Sequence, residues 1–250
     1  MGHKAYFISD IHLENMQERN GQILLRFLHS LTAEKEAPDL FFLGDIFDFW
    51  LSGHEVFIRK FEPLWEPLLL LKARGSRLVY FEGNHDLHLH PFWEKKLGFE
   101  IYEEAQYMKI GDYAVRLEHG DLMNPQDIDY LRWRAFSRHA IIEPWTHILP
   151  GFFWQWVGNK LSQKSRKKSR TYRSRNEEAI REMIRVHAQN VYQKEPFDLI
   201  ISGHMHVKLD ETLTNLDRPV RNINLGSWLE QDPPKALKIE GSDISWIELK

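Results

Sequence analysis

The feature that most constrains this sequence is the apolar run Leu40-Phe41-Phe42-Leu43, which is followed directly by Gly44-Asp45. A short apolar run of this kind predicts a strand that is buried on both faces of a sheet. Open α/β sheets bind their ligands at the carboxyl ends of such strands. We therefore expect an α/β protein in which Asp45 lies at the ligand-binding edge of a sheet.

Four other segments combine a predicted strand with metal-binding side chains at its end. Their terminal residues are Asp10-Ile11-His12, Asn84-His85-Asp86, His119-Gly120-Asp121 and His204-Met205-His206. A single Asp or His after a strand is more often an ordinary turn residue. Five strand ends that all carry oxygen or imidazole ligands predict one site for two metal ions. Asp45 is the expected bridge, because each oxygen of its carboxylate can face one ion.

The spacing within two of these segments predicts how the ligands are shared. Side chains two residues apart on a continuing strand point to the same side of the sheet, so Asp10 and His12 can bind one ion. His204 and His206 repeat this spacing. We expect each pair to act as a unit.

The remaining candidate ligands are the amide oxygen of Asn84 and the imidazole of His119, which would complete the coordination of the second ion. The sequence has no cysteine, and this excludes disulfides and thiolate ligands. A metal site built from Asp, Asn and His suits Mn, Fe or Zn.

Hydrophobic patterns predict a mixed α/β fold. A first strand, a helix over residues 20–36 and a strand over residues 39–43 form a βαβ unit, in which the two strands pair in parallel. A helix over residues 55–74 follows, and Pro63 and Pro67 should break or kink it. The other predicted elements are strands over 77–81, 198–202, 220–225, 236–239 and 245–249, a short helix over 91–97, and a hairpin of 107–110 with 113–117.

No strand is apparent between Leu122 and Gln193. Helical patterns cover residues 125–139, 144–161 and 173–193 instead. We therefore expect residues 1–250 to form a single domain in which residues 122–193 are a helical insertion.

Part of this insertion is strongly basic. Residues 131–175 carry eleven Lys or Arg and one acid, a net charge of +10 in a chain whose total is -3. The same residues contain four of the nine tryptophans. Basic and aromatic side chains on helices suit an anionic membrane surface. Aromatic side chains that pack on the core, together with a solvated basic linker, would give the same pattern.

The five ligand segments occur in the order of the calcineurin-like metallophosphoesterase motif, which the sequence resembles. The matching blocks are Asp10-Ile11-His12, Gly44-Asp45 followed by Asp48, Gly83-Asn84-His85-Asp86, His119 after a strand, and Gly203-His204-Met205-His206. The resemblance implies two stacked mixed β-sheets flanked by helices, with manganese as the usual metal and a metal-bridging hydroxide that attacks phosphorus. The ligands that it implies are Asp10, His12, Asp45 and His206 for the first ion, and Asp45, Asn84, His119 and His204 for the second.

The sequence is similar in particular to the UDP-2,3-diacylglucosamine pyrophosphatases of lipid A synthesis. This likeness rests on Gly44-Asp45-Ile46-Phe47-Asp48-Phe49-Trp50, His119-Gly120-Asp121, the Trp- and Arg-rich insertion, and Leu225-Gly226-Ser227-Trp228. It implies a nucleotide-linked glycolipid substrate, UMP and a lipid 1-phosphate as products, and inserted helices that cover the site as a lid and receive acyl chains. No signal peptide or transmembrane run is apparent, so we expect a cytoplasmic protein peripherally bound to the inner membrane. No protein partner is predicted.

Two positions depart together from that group, in which Arg usually follows the Asn of the third block and Glu stands at the position of Asp48. Here the residue after Asn84 is His85. In general phosphoesterases the carboxylate orients the histidine, and the histidine can protonate a leaving oxygen. A phosphate leaving group, whose second pKa is about 6, has little need of that proton, whereas an alkoxide requires it. His85 and Asp48 are therefore the catalytic candidates, and simple phosphate esters stay open as substrates.

Several polar and aromatic residues are candidate contacts for the uridine or the phosphates of the substrate. They are Asn124, Asp127, Arg132, Trp133, Arg166 and Lys167. Asp127 can equally be an ordinary residue in the first turn of a helix.

Three other functions fit parts of the sequence. A soluble phosphomonoesterase or phosphodiesterase would use the same metal site on another anionic substrate. A nuclease would bind a phosphate backbone with the basic segment, but the acidic remainder of the chain and the aromatic-rich run over residues 151–156 favour a lipid over a nucleic acid. A non-catalytic scaffold, like the retromer subunit that resembles phosphoesterases, typically lacks some of the metal ligands. All of these ligands are present in this sequence.

Overall fold

The structure, a computed structural model, describes residues 3–139, 153–154, 176–229 and 232–250. Its strands are β1 (Lys4–Ile8), β2 (Asp39–Phe42), β3 (Trp50–Leu51), β4 (Leu78–Phe81), β5 (Asp86–Leu87), β6 (Glu100–Tyr102), β7 (Gln106–Ile110), β8 (Tyr113–Leu117), β9 (Leu199–Ser202), β10 (Leu209–Leu213), β11 (Val220–Asn224), β12 (Lys235–Glu240) and β13 (Asp243–Glu248). Its helices are α1 (Arg19–Thr32), α2 (Glu55–Lys60), α3 (Trp65–Ala73), α4 (Ile128–Ser137) and α5 (residues 176–192), with a 3-10 turn at Glu62–Leu64 and a π-helical turn at His90–Glu94.

The strands form two large sheets and one small one. The first sheet has the order β13-β12-β1-β2-β4-β6, the second has the order β10-β11-β9-β8-β7, and β3 pairs with β5. Strands β1, β2 and β4 are parallel, and so are β8 and β9. The βαβ unit predicted at the start of the chain and the β7–β8 hairpin are confirmed.

Alternating side chains explain why the two sheets stack. Along β1, Phe7 belongs to a buried cluster that also contains Ile201 of the second sheet, so both sheets share this cluster. Its neighbour Ile8 points the other way and belongs to a different cluster, which includes Leu24 of α1. On the outer face of the second sheet, Val191 of α5 joins a cluster with strand residues. The predicted mixed α/β fold, with two stacked sheets flanked by helices, is confirmed.

The helix predicted over residues 55–74 is broken at only one of its two prolines. It ends at Lys60, a 3-10 turn contains Pro63, and α3 begins at Trp65. Pro67 is the third residue of α3, where the N–H that proline lacks would have no partner within the helix. A proline in the first turn therefore does not interrupt it.

The sequence missed four strands for physical reasons. Strands β3 and β5 have two residues each and β6 has three, which is too short for a period of two to be visible. Strand β10 lies at an edge of the second sheet, where only its two terminal leucines are buried. Its three central residues are polar, so it lacks the apolar pattern that predicts a strand.

The parallel strands bring the predicted ligand segments to one end of the fold. Asp10 follows β1, Asp45 follows β2 and Asn84 follows β4. His119 and His204 follow β8 and β9 of the second sheet. The sheets therefore present five ligand-bearing loops to one another.

The connection between β8 and β9 contains α4 and α5 and, in the described residues, no strand. These two helices correspond to those predicted over 125–139 and 173–193. The helix predicted over 144–161 lies outside the described residues except for 153–154, which are helical. That residues 122–193 are an insertion within one domain stays a prediction. None of the described helices is long and apolar enough to cross a membrane.

Candidate metal centre

Main-chain hydrogen bonds join the loops that follow β1 and β2. The amide N–H of Asp10 donates to the carbonyl of Gly44, and that of His12 donates to the carbonyl of Asp45, both at 3.1 Å. These bonds lie beyond the last residues of the strands. They continue the strand pairing far enough to bring the ligand side chains of both loops together.

Asp10, His12 and His206 form one group of donor side chains. Nε2 of His12 lies 3.0 Å from Nε2 of His206, which lies 3.3 Å from Oδ1 of Asp10. Two imidazole nitrogens approach this closely when a proton or a metal ion lies between their lone pairs. Together with the Asp10 carboxylate, this geometry suits a cation.

Asp45, His119 and His204 form a second group, which Asn84 joins. Nε2 of His119 lies 3.3 Å from Nδ1 of His204, 3.3 Å from Oδ1 of Asn84 and 3.7 Å from Oδ2 of Asp45. Nδ1 of His119 is 2.7 Å from the carbonyl of Leu43. Because a carbonyl only accepts, Nδ1 carries the proton, and Nε2 presents its lone pair to the group.

Asp45 lies between the two groups, but it faces them with one oxygen. Its Oδ2 is 3.7 Å from Nε2 of His119 and 3.9 Å from Nε2 of His12. Its Oδ1 accepts a hydrogen bond of 2.9 Å from the amide N–H of His85. Oδ1 keeps a second lone pair beside this hydrogen bond, so the expectation that each oxygen faces one ion stays a prediction.

Most of the predicted ligands have a backbone conformation that residues other than glycine rarely adopt. Their φ angles are 51° at Asp10, 52° at His12, 54° at Asp45, 65° at His204 and 56° at His206. The two ligand pairs thus lie beyond β1 and β9, and not on continuing strands as their spacing predicted. Such residues cost on the order of 1 kcal/mol each and persist where surrounding contacts hold them, as at functional sites.

Three glycines let the ligand side chains approach the main chain. A Cβ would come within 3.0 Å of a ligand side chain at each of them: Gly44 next to His119, Gly83 next to Asp45, and Gly203 next to Asp10. Real Cβ atoms are not found at such distances. The space around the donor atoms therefore depends on glycine at these positions.

The electrostatics of the two groups suit divalent cations. Burial raises the pKa of Asp45 to about 6, against the attraction of nearby histidines. Burial would also raise the pKa of Asp10, but the hydrogen bond and charge of His206 hold it below its usual range. Burial lowers the pKa of His204 to about 3. Burial acts in the same direction at His119, but the charges of Asp45 and Asp10 raise its pKa above the usual value, so a cation would have to displace a proton there. A neutral imidazole is the form that binds metals, and a cation would balance the buried carboxylates.

His85 and Asp48 lie beside these groups. Ligand atoms of His12, Asp45 and His85 are within 4.8 Å of one another. Nδ1 of His85 is 2.7 Å from the main-chain carbonyl of Asp48, so Nδ1 carries the proton and Nε2 is the atom that can exchange one. The sequence predicted that the Asp48 carboxylate orients this ring, whereas the structure places a main-chain carbonyl in that role.

Asp86 is a residue to which the sequence reasoning gave no role. It is fully buried, and its Oδ1 accepts hydrogen bonds from the amides of Asp45 (2.9 Å) and Gly83 (3.0 Å). Its Oδ2 accepts from the amide of Ile46 (2.9 Å) and from the hydroxyl of Tyr80. One carboxylate therefore fixes the loops after β2 and β4. The one sequence feature that could have indicated this role is the position of Asp86 in the segment that directly follows a predicted buried strand.

Two of the candidate substrate contacts bind their own backbone. The side chain of Asp127 caps α4 by accepting a hydrogen bond of 3.0 Å from the amide of Tyr130. Asp127 therefore lies just before the first turn, not in it, and has a structural role there. Oδ1 of Asn124 accepts one of 3.1 Å from the amide of Gln126. Neither contact brings the side chain to a metal ligand.

The other four candidate contacts comprise two exposed residues and two that the structure does not describe. Arg132 and Trp133 are exposed on α4, with 40% of Trp133 accessible to solvent. Arg166 and Lys167 lie outside the described residues.

A cavity of about 580 Å³ adjoins the second donor group, between the loops after β6 and β8 and helix α5. His119 and Asp121 contribute polar atoms to its lining, and Leu122, Met183 and Val186 contribute apolar surface. Its lining thus combines charged and apolar surface next to the donor atoms, as ligand sites commonly do.

Comparison with known proteins matches this chain to a phosphoesterase family model and to proteins named as hydrolases. The family model described as calcineurin-like phosphoesterase matches residues 3–208. A protein of Vibrio atlanticus (strain LGP32) named UDP-2,3-diacylglucosamine hydrolase is 26% identical over 257 residues, which cover 97% of this chain and 98% of that protein. A protein of the same name from Coxiella burnetii (strain RSA 493 / Nine Mile phase I) is 28% identical over 225 residues, or 89% and 88% of the two chains.

A solved structure of Vacuolar Protein Sorting 29 from Cryptosporidium parvum is also similar, with a TM-score of 0.45, 12% identity and coverage of 99% of this chain and 98% of that one. A TM-score this low adds nothing to the family match, which spans all five ligand segments. The chain belongs to the calcineurin-like phosphoesterase family and is a metal-dependent phosphohydrolase.

Proposed function

We propose that this protein binds two divalent metal ions and hydrolyses the pyrophosphate bond of UDP-2,3-diacylglucosamine, releasing UMP and the lipid 1-phosphate. The observation that carries this proposal is the convergence of the other six predicted donor side chains around Asp45. The substrate follows from the relatives, which carry the name of that hydrolase and align over most of both chains.

Each ion would take one of the two donor groups, with Asp45 shared between them. The proposed ligands of the first ion are Asp10, His12, Asp45 and His206, and those of the second are Asp45, Asn84, His119 and His204. Buried carboxylate, amide and imidazole donors at these distances fit Mn, Fe or Zn, and manganese is our first choice.

The bound ions would supply Lewis-acid stabilisation of the phosphoryl oxygens and a hydroxide nucleophile at neutral pH. The protein supplies orientation, because main-chain groups fix His119 through Nδ1 and Asp45 through Oδ1. His85 supplies a proton: once protonated at Nε2, it can donate to the leaving oxygen while Nδ1 stays bound to the carbonyl of Asp48.

We also propose that the enzyme works at an anionic membrane surface on the cytoplasmic side. The exposed aromatic side chains Trp133 and Phe136 of α4 support this, because aromatic groups favour the membrane interface. Among the three of these basic residues that the structure describes, Arg134 and Arg138 face inward, since their side chains are only 13% and 7% exposed and lie against acidic groups. Any basic residue that lies near such a surface would contribute about 1 kcal/mol.

The proposed substrate contacts are those that the sequence suggested outside the metal groups. They are Asn124, Asp127, Arg132, Trp133, Arg166 and Lys167. Asp127 is the weakest of them, because its side chain already caps α4.

A general phosphodiesterase or phosphomonoesterase is the second candidate, and His85 is the observation that favours it. A ring anchored through Nδ1, with Nε2 available for proton transfer, suits an alkoxide leaving group better than a phosphate. A non-catalytic scaffold is not favoured, because the donor set is complete.

Turnover with added Mn²⁺ tests the proposal. The substrates to compare are UDP-2,3-diacylglucosamine, UDP-glucose, a nucleotide monoester and bis(p-nitrophenyl) phosphate, with the products identified by mass spectrometry. We expect UMP and the lipid 1-phosphate from the lipid substrate and little product from the others. Cleavage of the small esters with no reaction of the lipid would overturn the lipid assignment.

Two variants keep this test specific to the metal site. Asn84→Ala removes a proposed ligand and should abolish metal-dependent turnover of every substrate. Arg59→Ala removes an arginine on α2 whose side chain is 77% exposed, and it should leave turnover unchanged.

A further inference from the structure

Helix α4 is attached to the metal centre through one buried carboxylate. Asp121 is two residues beyond His119, and its Oδ2 accepts hydrogen bonds of 2.7 Å from the hydroxyl of Tyr130 and from Nε of Arg134. Nη1 of Arg138 lies 3.5 Å from the same oxygen. All three partners belong to α4 or follow it directly. The helix is therefore fastened to the loop that presents His119.

Arg138 also reaches the loop after β4. Its Nη2 donates to the main-chain carbonyls of Glu82 at 3.2 Å and of Gly83 at 3.0 Å. Its Nε lies 3.8 Å from the carboxylate of Glu82, and the side chain is 7% exposed. Gly83 directly precedes Asn84, so one buried guanidinium contacts two of the four loops that supply the second donor group, those of Asn84 and His119.

A second contact fixes the same end of the helix. Nε2 of His88 lies 2.9 Å from the carbonyl of Ser137, the last residue of α4. Because the carbonyl only accepts, Nε2 of His88 donates. The end of α4 that carries Arg138 is thus held by the segment that follows the Asn84 loop.

From these contacts we infer that Arg138 is a positioning residue of the second metal site: it sets the separation of the loops that carry Asn84 and His119. The inference rests on the proposed two-ion function. The planar guanidinium can donate to two carbonyls while it faces two carboxylates, an arrangement that the single nitrogen of a lysine cannot reproduce. Without it, the two loops lose the group that both of them contact.

Metal titration of the metal-free protein tests this inference without a measurement of activity. Isothermal calorimetry with Mn²⁺ counts the ions, and electron paramagnetic resonance distinguishes a coupled pair from single ions. We expect wild-type protein to bind two coupled ions. Arg138→Ala and Arg138→Lys should bind the first ion like the wild type and the second about 10- to 100-fold more weakly, the usual cost of removing a group that supports a metal ligand.

Matched variants make each outcome decisive. Asn84→Ala removes the ligand itself and shows what loss of the second ion looks like, whereas Arg59→Ala should behave like the wild type. Unchanged binding of the second ion in the Arg138 variants would overturn the inference and leave the two-ion function standing. Equal weakening of both ions, or failure of both Arg138 variants to fold, would show a general structural role and would also overturn it. A wild-type protein that binds fewer than two ions would overturn the proposed function itself.

Discussion

The carboxylate of Asp86 holds Asp45 in place: its Oδ1 accepts a hydrogen bond of 2.9 Å from the amide N–H of Asp45. Its Oδ2 accepts one of the same length from the next amide, that of Ile46. Asp45 has a φ of 54° and lies between the two donor groups. The central residue of the site is thus stabilised in a left-handed conformation by a side chain from the end of a different strand.

Asp86→Asn should weaken both the fold and the metal site. The amide group of asparagine replaces one accepting oxygen with a donor, which cannot serve the N–H groups around it. We expect a loss of about 1–3 kcal/mol in the free energy of unfolding and a drop of about 10- to 100-fold in Mn²⁺ affinity. Urea unfolding and metal titration measure these. Asp112→Asn, at an exposed turn between β7 and β8, is the control and should change neither quantity. Wild-type stability and affinity in Asp86→Asn would contradict the role of Asp86.

A pair of glycine variants separates backbone strain from steric contact with a ligand. Gly44 and Gly75 have similar positive φ angles, 87° and 93°, but a Cβ at Gly44 would collide with the ring of His119 whereas one at Gly75 would have nothing within 4 Å. Gly75→Ala should lose about 1–2 kcal/mol of stability through strain alone and bind Mn²⁺ normally. Gly44→Ala should show the same strain and also lose metal binding. Thermal unfolding and metal titration decide this, and equal metal affinity in the two variants would refute the close approach to His119.

The sequence predicted which side chains lie close together in the site, but it did not predict the backbone conformations that bring them together. Asp45 and His119 could be located because each follows a predicted strand, and parallel strands end at the same edge of a sheet. The left-handed conformations of Asp10 and His12 have no signal in those residues, since neighbouring loops impose them. The roles of Asp86 and Arg138 depend on contacts between segments far apart in the chain, which no local pattern encodes.

The role of His85 as a general acid can be tested by varying the leaving group of the substrate, and the role of the Asp48 carboxylate by replacing it with an amide. His85→Ala should slow the residual cleavage of esters with alkoxide leaving groups by about 10²- to 10⁴-fold, the usual contribution of a positioned general acid. Esters of p-nitrophenol should be affected much less, because that leaving group does not need a proton. Asp48→Asn preserves the main-chain carbonyl that contacts Nδ1 of His85 and should retain most of the activity. If Asp48→Asn were as slow as His85→Ala, the carboxylate would be the orienting group after all.

Glu82 should give the metal-free protein a specific pH dependence. Burial raises the pKa of Glu82 from 4.5 to about 7, against the N–H of Leu89 and the charge of Arg138. The folded state therefore binds this proton more tightly than the unfolded state, and the contribution of Glu82 to stability falls as the pH rises from about 4.5 to 7. The slope approaches about 1.4 kcal/mol per pH unit for a single group.

Glu82→Gln isolates this contribution, because glutamine does not titrate. We compare the free energies of unfolding of the two metal-free proteins, measured with urea between pH 4 and 8. The stability of the variant relative to the wild type should increase as the pH rises from about 4.5 to 7, and it should be constant below that range. A difference that stays constant across the whole range would mean that the carboxyl group of Glu82 is not perturbed.

Anomalous diffraction from crystals grown with Mn²⁺ tests the two-ion site most directly. We expect two peaks about 3.5–4 Å apart, the usual separation in two-metal sites. One peak should lie among Asp10, His12 and His206, the other among Asn84, His119 and His204, and Oδ2 of Asp45 should contact both. A single peak, or peaks that do not share Asp45, would contradict the proposal.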